Sequence, residues 1–152
     1  MAGSKWEGAK KEMIRVARAL AAKKGTTTVI NVIAFNNNVT KFLDGELNEI
    51  SAEISNLETW LNGLKPSGAT AMKAGLSEAF SYYSGTFKAV YLITDGVPTD
   101  MGITEKDLAT IDALNTNKLP IHVHAIEPSA DYLQFLQSFA LKNGGSYKRY
   151  KP

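Results

Sequence analysis

Residues 88–100, K-A-V-Y-L-I-T-D-G-V-P-T-D, decide the fold. Val90, Tyr91, Leu92 and Ile93 form an unbroken apolar run closed by Thr94-Asp95-Gly96. A short apolar run ended by a turn signal reads as a strand buried on both faces, as in the middle of a parallel α/β sheet. Ligands of open α/β sheets gather beyond the carboxyl ends of the strands. Asp95 stands at such an end, with Gly96 beside it to let the backbone turn sharply. Asp95 is therefore the first candidate for a site. The alternative is an aspartate that only starts a turn.

Upstream of this strand, Thr70 is placed to cap a helix over residues 71–83 whose apolar residues cover most of its circumference, a helix buried against the sheet. Pro66-Ser67-Gly68 separates it from a preceding helix, on which Ile50, Ile54, Leu57, Leu61 and Leu64 mark one face. Ser55-x-x-Glu58 marks the start of that helix or an internal restart. Residues 27–35 are a β-branched run, hence a buried strand. Asn36-Asn37-Asn38 is a turn, Val39-Thr40-Lys41-Phe42 alternates as a short edge strand, and Asp44-Gly45 ends the hairpin. At the amino end, Ser4-x-x-Glu7 is a capping box, and Trp6, Ala9, Met13, Ala17, Leu20 and Ala21 recur at helical spacing. Lys10, Lys11, Arg15, Arg18, Lys23 and Lys24 occupy much of the rest of that helix, a solvated basic face or, alternatively, a phosphate-binding one.

Downstream, Thr104-x-x-Asp107 caps a helix on which Ile103 can staple onto Leu108. Residues 120–126 form the next strand. Ser129 caps a helix with Tyr132, Phe135, Leu136, Phe139 and Ala140 inward, and Asn143-Gly144-Gly145 ends it. Residues 146–150 are a last strand with charges suited to an edge. The order α, hairpin, α, α, β, α, β, α, β means an α/β domain, Rossmann-like, with a mostly parallel sheet and helices on both faces. Residues 1–152 read as one domain, a length able to bury a sizeable core.

Composition narrows the function classes. Hydrophobic residues make up 44% and charged residues 21%, ordinary for a globular chain. There is no cysteine, so disulfides, thiolate chemistry and zinc–cysteine sites are excluded. The net charge of +2 is too small to argue for nucleic acid. The sequence has neither the ~20-residue apolar run of a transmembrane helix nor the apolar core of a signal peptide in M-A-G-S-K-W-E-G. The compartment is not legible.

Motif tests are mostly negative. Residues 63–70 fit G-x-x-x-x-G-x-T, but a nucleotide-binding loop needs lysine before the threonine and follows a strand. Ala69 stands there, and a helix precedes. His122 and His124 lie on one side of a strand, where they could ligate a metal or act as a base, but no third ligand is near. A packed or hydrogen-bonded role suits them better. Asp95 as a phosphotransfer nucleophile would want a second carboxylate two residues on, where Val97 stands. No G-x-S-x-G elbow occurs. The residues do not make an enzyme.

Ser67-Gly68-Ala69-Thr70-Ala71-Met72, a helix, and Leu92-Ile93-Thr94-Asp95-Gly96-Val97-Pro98 together resemble a von Willebrand factor type A domain. The helix–strand–strand order before them and the closing Gly144-Gly145-Ser146-Tyr147 also match, and the resemblance covers essentially the whole chain. It implies a Rossmann-like sheet with a metal-ion-dependent adhesion site at its top, and binding rather than catalysis. Thr70 matches the threonine of the family's second metal loop and Asp95 the aspartate of its third. An acidic side chain of the partner completes the coordination in the family. Ser67, Gly68, Gly96 and Asp100 are expected in the surrounding partner-binding loops, Asp100 without a matched family role.

The departure from the family is its first central strand with the D-x-S-x-S metal loop, absent here: Ala2-Gly3-Ser4 and the first helix follow Met1 at once. The strands at 28–35 and 90–94 are then expected to expose unpaired apolar edges. One carboxylate and one hydroxyl should hold Mg²⁺ only weakly. The implied cofactor is Mg²⁺, or Mn²⁺ or Ca²⁺, if the missing ligands are supplied, and otherwise none. The implied partner is a protein, with a complementing strand supplied in trans or upstream, or a domain-swapped copy. The alternatives are a structural or split-protein subunit without metal, an Asp95-dependent phosphotransfer enzyme, and a nucleic-acid binder using the first helix with Lys148, Arg149 and Lys151.

Overall fold

β4 (Ile121–Ile126) is the axis of the observed architecture, because Ile121, Val123, Ala125 and Ile126 lose all contact with solvent there. A computed structural model describes residues 3–25, 27–44, 48–82 and 87–151. In chain order the other elements are α1 (Ser4–Ala21), β1 (Ile33–Phe35), β2 (Val39–Lys41), α2 (Ile50–Gly63), α3 (Met72–Ser81), β3 (Val90–Thr94), α4 (Glu105–Leu114), α5 (Ala130–Lys142) and β5 (Tyr147–Tyr150). β3, β4 and β5 form a parallel sheet in that order, with Val90 opposite Ile121 and Val123 opposite Tyr147. β1 and β2 form a separate antiparallel hairpin, Ile33 opposite Lys41. This is the expected α/β arrangement, mostly parallel, and among the described residues no strand lies between β1 and β3.

The hydrophobic core is divided in the same place. One cluster joins α3, α4 and α5 to β3 and β4 through Met72, Leu76, Leu92, Ile111, Val123 and Phe139. The other joins α1 and α2 through Ala17, Val32, Ile50, Leu57 and Leu61. Fully burying one large apolar side chain is worth about 1.5–3 kcal/mol, so each cluster can hold its own elements. On α5, the rings of Tyr132, Phe135 and Phe139 stack in series at 5.5 and 5.9 Å.

Several local expectations are corrected. The β-branched run forms a strand only over Ile33–Phe35, with an isolated bridge from Val29 to Glu49. A strand needs a ladder on at least one side to persist, and β2 is only three residues long. The Ser4–Glu7 capping box does not form: Gly3 is the N-cap, and the Glu7 carboxylate pairs with Lys10 at 2.8 Å. α2 runs through Ser55 without a restart. Thr70 does not cap α3, whose N-cap is Ala71. The Thr104–Asp107 capping box is present, Asp107 accepting the Thr104 N–H at 2.9 Å. Ser129 occupies the N-cap of α5, and Asn143 its C-cap. Gly45 and Tyr83 lie outside the described residues.

Candidate functional site

Thr70 and Asp95, twenty-five positions apart in the sequence, line one cleft of about 150 Å³ at the carboxyl ends of β1 and β3. Asn36, Ser67, Thr94 and Trp6 line it with them. The loop before α3 is held there by the loop after β3. The Thr70 N–H donates to Thr99 Oγ1 at 3.0 Å, and the Thr99 N–H donates to the Thr70 carbonyl at 2.9 Å. Gly96 closes against the same threonine: a Cβ there would lie 3.4 Å from Thr70 Oγ1. Behind the cleft, the Tyr132 hydroxyl donates to Met72 Sδ at 3.3 Å. Burial, aided by the nearby Asp95 charge, raises the Tyr132 phenol well above its ordinary value, so it stays protonated.

The expected loop residues separate into two groups. Ser67 belongs to the cleft. Gly68 holds a left-handed φ of 76° while Asn37 Oδ1 accepts the Ala69 N–H at 2.6 Å, so Gly68 shapes the rim. Asp100, expected only as a neighbour, caps α3 instead. Its two oxygens accept the N–H groups of Lys73 and Ala74 at 3.1 and 2.9 Å. That satisfies orphan donors of the first helical turn. Sequence reasoning missed this cap because it comes from another loop, with only Asp100's position after the T-D-G-V-P turn as a hint.

The donor set does not fit a self-contained cation site. A hard cation such as Mg²⁺ takes six oxygens and Ca²⁺ six to eight. Thr70 contributes a hydroxyl and Asp95 a carboxylate, while Asp100 is engaged at α3. Among the described residues, no group of three or more His, Asp or Glu could hold a metal.

The histidines have polar partners. His122 Nδ1 lies 2.9 Å from Ser146 Oγ and accepts the Ser146 N–H at 3.1 Å. His124 Nδ1 lies 2.6 Å from Glu12 Oε1. The basic face of α1 is partly neutralised, Arg15 by Glu12 at 2.7 Å and Arg18 by Glu58 at 2.6 Å. Among the described residues, no helix is long and apolar enough to cross a membrane.

A family model described as von Willebrand factor type A domain matches residues 6–149. An aerotolerance-related membrane protein from Bacteroides fragilis, crystallised with multiple mutations to serines, is similar in structure. It has a TM-score of 0.65 and 16% identity, covering 95% of this chain and 80% of that one. The conserved hypothetical protein BatB from Bacteroides thetaiotaomicron gives a TM-score of 0.70 at 15% identity, covering 96% and 80%. At these identities the two structures speak for the fold alone. No curated protein matches the chain.

Proposed function

The chain belongs to the von Willebrand factor type A domain family, and from that premise we propose that it is a protein-interaction module whose partner meets the Thr70–Asp95 rim. The observation that carries this reading is the convergence of the two side chains, from separate loops, on one cleft at the strand ends. Thr70 and Asp95 both bring oxygen donors to the cleft, which suits a hard cation shared with a partner. Mg²⁺, Mn²⁺ or Ca²⁺ is then held only when outside oxygens, such as those of a D-x-S-x-S segment or an acidic partner side chain, join Thr70 and Asp95. The role is binding; no reaction is assigned to Asp95.

The test uses Mn²⁺ as a spectroscopic probe, with the chain alone and with a peptide carrying D-x-S-G-S. Weak binding alone, tightened by the peptide and lost in both Thr70→Ala and Asp95→Asn, is the expected result. Tight binding by the chain alone, or binding indifferent to both substitutions, overturns it. The paired Thr70–Thr99 bonds favour a second reading, a structural subunit without metal. In that case Thr99→Ala, which removes the acceptor of the Thr70 N–H, changes stability and no partner's affinity.

A further inference from the structure

We propose that Tyr132 is a positioning residue of the rim: its hydroxyl, on α5, ties the Thr70 loop to the Asp95 loop through the interior. This deepens the binding reading above and rests on it only in taking the Thr70–Asp95 cleft to be the site that is positioned.

Packing alone does not call for a hydroxyl at this place. Tyr132, Phe135 and Phe139 stack in series on α5. The other two rings are phenylalanine, so the stack is complete without a polar atom. Tyr132 is wholly buried, and a buried hydroxyl costs free energy unless it is hydrogen-bonded. It meets two side chains that are themselves buried, Met72 and Thr94. Met72 opens α3 two residues after Thr70, and Thr94 ends β3 next to Asp95. The hydroxyl therefore joins the two loops that carry the cleft.

The bonds can be followed from one loop to the other. The Gly96 N–H reaches Thr94 Oγ1 at 3.4 Å, a long bond. The Thr94 hydroxyl has two acceptors, the Gly96 carbonyl at 3.3 Å and the Tyr132 oxygen. The Tyr132 hydroxyl donates to Met72 Sδ at 3.3 Å. Burial and the Asp95 charge keep the phenol protonated, so it stays a donor to Met72. The Met72 N–H in turn donates to the Thr70 carbonyl at 2.9 Å, the same oxygen that takes the Thr99 N–H. One path between the loops thus runs through Thr94, Tyr132 and Met72. The Thr70–Thr99 pair joins the same loops directly.

Tyr132 does not line the cleft, so it touches no ligand there. Its effect is on the separation of Thr70 and Asp95. A small hard cation demands near-ideal geometry from its oxygens. Groups that bind one keep that geometry when supporting hydrogen bonds lock them from behind.

Two variants of the full chain test this without metal. Tyr132→Phe removes the hydroxyl and keeps the ring, and Thr94→Val removes the middle of the path with little change of shape. Amide exchange is followed at Thr70, Met72 and Thr99, with Val123 of the β4 ladder as the reference for global stability. The expected result is roughly fivefold faster exchange at the three rim amides in either variant, as for the loss of one net hydrogen bond. The change at Val123 should be smaller. The double variant should be no worse than either single one, because both break the same path. Rim amides that exchange as in the parent, an equal acceleration at Val123, or losses that add in the double variant overturn the proposal. Mn²⁺ binding in the presence of the D-x-S-G-S peptide separates this inference from the reading it rests on. Severalfold weaker binding in Tyr132→Phe supports both. Faster rim exchange with unchanged Mn²⁺ affinity overturns the positioning role. A parent chain that holds no Mn²⁺ removes the rim reading alone, and the exchange pattern then decides whether Tyr132 ties the two loops.

Discussion

Glu12 Oε1 and His124 Nδ1 lie 2.6 Å apart between α1 and β4, the Glu12 carboxylate wholly buried. Arg15 completes the cluster with bonds of 2.7 and 2.8 Å to the same carboxylate, and Lys148 of β5 approaches to 3.9 Å. Arg15 foremost, with His124, holds Glu12 below the ordinary 4.5 despite burial. Burial pulls His124 below 6.5 and outweighs the attraction of Glu12, while Lys148 and Arg15 push the same way. Both folded values are lowered, so the unfolded chain binds more protons on the acid side, and stability rises with pH and is lost as pH falls. The loss should begin as pH drops below about 6.5 through His124 and deepen below about 4.5 through Glu12. Urea midpoints measured from pH 8 to 4 check this. His124→Gln should remove the upper step and leave the lower one.

Asp100→Ala should destabilise α3. It removes the acceptors of two N–H groups in the first turn, and loss of a capping side chain costs about 1 kcal/mol. Asp100→Asn keeps one acceptor and should recover part of the loss. Chemical denaturation measures both. Because Asp100 sits beside Thr99, which clamps Thr70, the alanine variant should also loosen the rim, seen as faster amide exchange at Thr70.

How far the sequence revealed this arrangement depended on the range of the interaction. β3 and Asp95 were legible because a buried strand and its turn are written within ten residues. The Thr104–Asp107 box was legible for the same reason. Asp100 as the cap of α3 was not, since its partners lie 26 and 27 positions away. Glu12 was hidden among Lys10, Lys11 and Arg15 on what reads as a solvated basic face. Its burial depends on His124, 112 residues on. The length of β1 was overread because β-branching reports fitness for a sheet, not the presence of a neighbour. Thr70 beside Asp95 came from the family resemblance, and no local pattern in the residues would have paired them.

Asp95→Asn keeps the side chain's size and one acceptor oxygen, so it should leave the unfolding free energy in metal-free buffer within about 1 kcal/mol of the parent. Thr70→Ala should behave likewise, because the Thr99 clamp uses the Thr70 backbone. A large loss of stability in either variant would show that the rim serves the fold, and would favour the structural reading.

Gly145→Ala should be far more damaging than Gly144→Asn, although the two glycines are adjacent. A Cβ on Gly145 would run into the Ile121 carbonyl oxygen, a backbone atom that cannot turn aside. That carbonyl begins β4, and Gly145 also donates its N–H to Ala140 at 2.9 Å where α5 ends. To make room, β5 would have to move away from β4, breaking the ladder that starts at Val123 and Tyr147. Crowding of this kind costs roughly 1–3 kcal/mol or more. Gly144 has a left-handed φ of 64° with open space around its Cβ position. Asparagine tolerates that conformation at a small cost. Equilibrium unfolding should therefore place Gly144→Asn near the parent and Gly145→Ala well below it. Equal losses would mean that backbone conformation, and not the approach of β5 to β4, governs this turn.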